Sequence, residues 1–107
     1  MKLLDKIISD MHLSMKSGDR IKADTLRTLI AKLRDQEIKS RKKNSDEESF
    51  KVIQTLVKQR KESANIYSKA GRLELADKEN FEISILNKFL PESMSEKDIV
   101  KLVKEII

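Results

Sequence analysis

Ser45-Asp46-Glu47-Glu48-Ser49-Phe50-Lys51-Val52-Ile53, continuing through Val57-Lys58-Gln59-Arg60 to Tyr67-Ser68-Lys69-Ala70-Gly71, decides the fold. Ser45 with Glu48 three residues on is a capping box, in which each side chain meets the other's backbone N–H. Asp46, Glu47 and Glu48 put negative charge at the positive end of a helix dipole. Phe50 or Ile53, Val57, Arg60, Ala64 and Tyr67 recur every three or four residues, a helical stripe. Gly71 supplies the left-handed stop. The stretch predicts a helix from Ser45 to about Ala70, with one arginine where an apolar residue belongs.

The same period runs outward in both directions. Leu4, Ile7, Met11 and Met15 form a stripe from about Leu3 to Ser17, ended by Gly18. Asp19 caps a second helix with Leu26, Ile30, Leu33 and Glu37 or Ile38 on one face. Lys39 to Asn44 is polar and without period and reads as a basic loop. Downstream, a fourth helix runs from near Arg72 to about Leu90, where Pro91 stops it because the ring cannot continue a helix. Ser95-Glu96-Lys97-Asp98 opens a fifth helix carrying Ile99, Leu102 or Val103, and Ile106. The fold class is all-α: a four- to five-helix antiparallel bundle-like domain with short connections. Two Gly and one Pro in 107 residues are too few for a β-sandwich or barrel.

Arg60 needs a partner, since a half-buried charge is costly alone. On the fourth helix Leu75, Glu79, Glu82, Leu86 and Phe89 share one face, and Ala76, Glu79, Ile83, Leu86 and Leu90 the alternative one. The expectation is a structural ion pair between Arg60 and Glu79 or Glu82 that sets the register of two helices. A metal or substrate site built from the same groups is the weaker reading, because the Glu-x-x-His element of dinuclear carboxylate sites is absent.

The chain offers little catalytic chemistry. No cysteine is present, which excludes a thiol nucleophile, a disulfide framework and cysteine-ligated metals. His12 is the single histidine and has no nucleophile beside it in sequence. There is no Gly-rich phosphate loop, nucleophile elbow or zinc spacing. The residues point to no enzyme, cofactor or metal. No apolar run reaches the ~18 residues of a membrane span, and acids within Met1–Asp10 argue against a signal peptide, so the expected location is the cytoplasm.

The net charge of +5 favours acidic partners, and it is unevenly spread. Residues 1–61 hold 16 Lys or Arg against 9 Asp or Glu, a net of +7, and residues 62–107 hold 7 against 9, a net of −2. Lys39, Arg41, Lys42 and Lys43 cluster at a helix end, and Lys58 and Lys61, with Arg60, in the next helix. These are candidate nucleic-acid contacts through phosphates. With no Trp and one Tyr, base stacking has no platform.

Lys58-Gln59-Arg60-Lys61-Glu62-Ser63, Tyr67-Ser68-Lys69-Ala70-Gly71-Arg72, Leu75, Glu79, Glu82 and Phe89-Leu90-Pro91-Glu92-Ser93-Met94-Ser95, in that order, resemble the GatB/YqeY family. Leu26-Arg27-Thr28-Leu29-Ile30 with Glu37-Ile38 is similar to that family's second helix. The resemblance implies a small helical protein similar to the tail domain of the B subunit of glutamine-dependent tRNA amidotransferase. It implies tRNA, or the amidotransferase subunits, as partners of a non-catalytic accessory module. The family label of carbon–nitrogen ligase activity with glutamine as amido donor belongs to the multidomain enzyme, whose glutaminase and kinase machinery has no counterpart here. Family chains usually continue into a second, smaller helical subdomain. Residues 1–91 therefore read as the first subdomain, and 92–107 as a linker and the start of a shortened second one. The alternative function is a protein–protein interaction module with its contact at Ile99, Leu102, Val103 and Ile106.

Overall fold

The computed structural model describes residues 3–91, and within them the chain forms four α-helices and no strand. They are α1 (Leu3–Ser17), α2 (Arg20–Ser40), α3 (Asp46–Lys69) and α4 (Leu73–Asn87). The expected fifth helix lies outside the described residues.

Each boundary has a local cause. Gly18 sits at φ +78°. Around it Asp19 N–H donates to Ser14 C=O at 2.9 Å and Gly18 N–H to Met15 C=O at 3.3 Å. That pair of bonds is the Schellman stop, which a residue with a Cβ enters at a cost. The Asp19 carboxylate then accepts from Lys22 N–H at 3.1 Å and caps α2. The same stop ends α3: Gly71 lies at φ +75°, with Arg72 N–H donating to Tyr67 C=O at 2.8 Å. At the start of α3 the capping box is complete, Glu48 N–H donating to Ser45 Oγ and Ser45 N–H to the Glu48 carboxylate, each at 3.2 Å.

Connections of two and three residues fold α1 on α2 and α3 on α4 as antiparallel hairpins, the two most extensive helix pairings. Helix α2 also packs on α3 and α4 and so belongs to both halves of the core. Ile7, Leu26, Leu29, Leu33, Ile53 and Leu86 are sealed from solvent at its centre. Each such side chain is worth about 1.5–3 kcal/mol of burial.

Several details differ from the sequence expectations. Met15 is 53 % exposed, and Ser14 is buried in its place. The two-residue connection brings the last turn of α1 against the first of α2, where the small Ser14 and Ala23 fit and a methionine does not. The Ser14 hydroxyl is satisfied by Asp10 C=O at 2.8 Å. Of Glu37 and Ile38, Glu37 takes the inner position and Ile38 is 75 % exposed. Leu75 is exposed, and the buried residues of α4 are Ala76, Glu82, Ile83, Ile85 and Leu86, a set in which Ile85 belongs to neither expected face. Helix α4 ends at Asn87, three residues short of Leu90, in a tightened turn where Phe89 and Leu90 N–H donate to Leu86 and Asn87 C=O. Lys39 and Ser40 are helical, so the basic loop begins at Arg41.

Candidate nucleic-acid interface

Helix α2 ends on Arg41, whose backbone lies at φ +58°, ψ +28°. It is the only non-glycine residue with positive φ among the described residues. The other two left-handed stops are glycines; this one carries a cation. The turn is tied to the fold by Asn44. Its side-chain N–H donates to Leu33 C=O at 2.9 Å, and its backbone N–H to the Glu37 carboxylate at 3.0 Å. The expected loop is thus a short anchored turn that holds Arg41, Lys42 and Lys43 outward, all exposed.

The predicted basic residues do not form one patch. Lys39 pairs with Asp35 at 3.2 Å on the last turns of α2. Lys42 approaches Glu48 at 3.7 Å, where bonds from Ser45 hold the Glu48 carboxyl below its usual pKa. Arg41 and Lys43 have no ion-pair partner among the described residues. On α3, Lys58 is exposed and Lys61 half-buried.

Arg60 belongs to a different environment. Its side chain is 20 % exposed and faces the α3–α4 seam, bonding Glu79 at 3.4 Å and also Glu82. Burial raises the Glu82 pKa, and the neighbouring Arg60 charge opposes the rise. The Arg60 Nε is buried without a partner. One guanidinium thus joins two carboxylates from successive turns of α4 across the seam, which sets helix register and takes Arg60 out of any basic surface. Ile99, Leu102, Val103 and Ile106 lie outside the described residues.

Among the described residues no group of three or more His, Cys, Asp or Glu is placed to hold a metal. No helix there is long and apolar enough to cross a membrane. His12 is exposed on α1.

These features define a small all-α module whose polar chemistry consists of one structural ion triad and a cationic exterior. The chain belongs to the Yqey-like protein family, whose family model matches residues 4–107. It is 34 % identical over 82 residues to an uncharacterized protein of Schizosaccharomyces pombe, covering 77 % of this chain and 67 % of that protein. It is 32 % identical over 102 residues to altered inheritance of mitochondria protein 41, mitochondrial, of Saccharomyces cerevisiae, covering 92 % of this chain and 55 % of that one. Its similarity to the protein of the same name from Eremothecium gossypii is 34 % over 82 residues, covering 76 % of this chain and 45 % of that one. The chain spans about half the length of these two mitochondrial relatives.

Proposed function

We propose that this chain is a non-catalytic module that binds RNA through its phosphates. The tail-domain resemblance makes tRNA the RNA, and the amidotransferase system its setting. One observation carries the reading. Residues 20–43 hold nine Lys or Arg against three Asp or Glu, a net of +6, where the whole chain nets +5. The charge that attracts a polyanion is therefore concentrated on α2 and the turn after it, and the rest of the chain is near neutral. The proposed compartment is the cytoplasm, although the Saccharomyces cerevisiae and Eremothecium gossypii relatives are named for the mitochondrion.

A tRNA titration at several salt concentrations tests the reading. With three or four phosphates neutralised, log K falls against log salt with a slope of about −2 to −4. A tRNA affinity indifferent to salt contradicts it. In parallel, the chain incubated with glutamine, ATP and misacylated Glu-tRNA forms no amide product; turnover overturns the non-catalytic half of the proposal.

A further inference from the structure

Four of the six arginines stand seven residues apart: Arg20, Arg27, Arg34 and Arg41. Seven residues are close to two helical turns, so the row drifts only ~20° per step and advances about 10 Å each time. Because α2 is continuous from Arg20 to Ser40 with Arg41 as its cap, the four lie along one line about 31 Å long. All four are exposed. Only Arg27 has an ion-pair partner among the described residues, the exposed Asp24 at 3.4 Å, an i,i+3 contact that solvent readily replaces.

The surface between the arginines is furrowed. Three open grooves follow one another along the line, each flanked by two successive members. Arg20 and Arg27 border one of about 460 Å³, Arg27 and Arg34 one of about 420 Å³, and Arg34 and Arg41 one of about 470 Å³. The row thus places a cation at the border of each successive depression.

Both ends of the row stand where another residue type suits the backbone better. Arg20 occupies the first turn of α2, which holds no acid, at the positive end of the helix dipole. Arg41 occupies a left-handed position that elsewhere among the described residues goes to glycine. Local preference broken at both ends of one row is the pattern expected where function selects the residue.

The geometry points to the α2 arginine row as a track for the phosphate backbone of a nucleic-acid duplex, a deeper statement that rests on the RNA-binding reading above. Guanidinium forks take phosphate oxygens two at a time, and backbone contacts at a fixed interval need a regular, stiff anion array. A paired stem supplies one; an unstacked single strand instead needs a series of aromatic platforms, and this face offers no Phe, Tyr or Trp and one ring, His12, beside the groove between Arg27 and Arg34. A membrane surface would require a continuous apolar side to the helix, whereas the exposed large apolar residues of α2 are Ile21 and Ile38, at opposite ends of it.

The test uses the full chain, fluorescence anisotropy and three probes: a 12-base-pair RNA hairpin, a DNA duplex of the same sequence and the corresponding single-stranded RNA. The variant is Arg20→Gln with Arg34→Gln, since neither arginine leaves an acid unpaired and glutamine is a good helix former. Circular dichroism verifies its helix content. The comparison variants are Arg41→Gln/Lys42→Gln/Lys43→Gln in the turn and Lys51→Gln/Lys69→Gln on α3, both exposed. The row predicts binding of the hairpin in preference to the single strand, and a salt slope smaller by about 1.5 in the Arg20/Arg34 variant, from ~0.7–0.9 per lost contact. The α3 variant keeps the wild-type slope. Binding of the RNA hairpin at least as tight as that of the DNA duplex supports the row; preference for the DNA duplex overturns it together with the RNA-binding reading. A wild-type slope in the Arg20/Arg34 variant, lost only on changing the turn, overturns the row and leaves the RNA-binding reading standing, as does preference for the single strand. No binding of any probe by the wild-type chain overturns both.

Discussion

Arg41 shows two demands meeting at one residue. Its left-handed backbone costs a residue with a Cβ about 1–2 kcal/mol, a cost that glycine does not incur. Arg41→Gly is therefore expected to stabilise the fold by about 1 kcal/mol in urea denaturation, while the RNA salt slope falls by about 0.7–0.9 for the lost phosphate contact. Stabilisation without loss of slope would remove Arg41 from the interface. Arg60 poses the converse case, a charge kept inside. Arg60→Met leaves Glu79 and Glu82 facing each other in the seam and should cost about 3 kcal/mol, as for breaking one partner of a buried pair. Combining it with Glu82→Gln should recover part of that, with a coupling of about 1–3 kcal/mol in the double-mutant cycle. The two shifted carboxyls act on stability with opposite signs. Burial raises the Glu82 pKa, so the folded state holds that proton more tightly than the unfolded chain does. Its contribution is full below the ordinary glutamate value and is lost as pH rises through the folded one. Wild type should accordingly lose stability relative to Glu82→Gln as pH rises from about 4.5. For Glu48 the pKa is lowered, so its contribution is present above the ordinary value and lost as pH falls through the folded one. Wild type should lose stability relative to Glu48→Gln on acidification.

Helix α2 is the element on which both core and interface depend. One side carries Leu26, Leu29, Ile30 and Leu33 into both hairpins, and the arginine row flanks it along the border with α1. Leu29→Ala should cost about 3–4 kcal/mol, within the range for a sealed leucine, and Ile38→Ala less than about 0.5 kcal/mol, as for exposed positions. Equal costs in chemical denaturation would contradict this division of faces. Much of the element was legible in the residues. Capping by Asp19 and the Leu26, Ile30, Leu33 spacing predict where α2 begins and which side is buried, because both depend on near neighbours in sequence. Ile38 and Met15 were not legible, because a stripe's width depends on how many helices surround it and how closely they approach. At the turn after α2 the two-residue Gly18 connection has no parallel, and Ile38 has nothing to pack on. The arginine row was visible as a spacing but not as a surface. Reading by local density selects Lys39 to Lys43, whereas residues seven apart become neighbours only once α2 is known to be unbroken from Arg20 to Ser40. Arg60 stands among the cations of α3 in sequence, but its place in an apolar stripe marks it as facing inward, and the expected pairing with Glu79 or Glu82 is met by both.

At the scale of the whole molecule the charges are sorted by element. Nine cations of residues 20–43 lie on α2 and the following turn, and residues 62–107 net −2. Such an arrangement orients the molecule in the field of a polyanion before contact, and the effect weakens as salt shortens the Debye length to ~10 Å at 0.1 M. The α3–α4 hairpin, held in register by Arg60, serves as the support on which α2 is laid. The most direct test of the central claim, that this fold presents the arginine row of α2 to a phosphate backbone, is an NMR titration of the isotope-labelled chain with an unlabelled tRNA stem-loop at low salt. The predicted result is that backbone amide shifts and line broadening concentrate at Arg20, Arg27, Arg34 and Arg41–Lys43, and that α3 and α4 are unmoved. A spectrum unchanged by RNA, or changes centred on the α3–α4 hairpin, would contradict it.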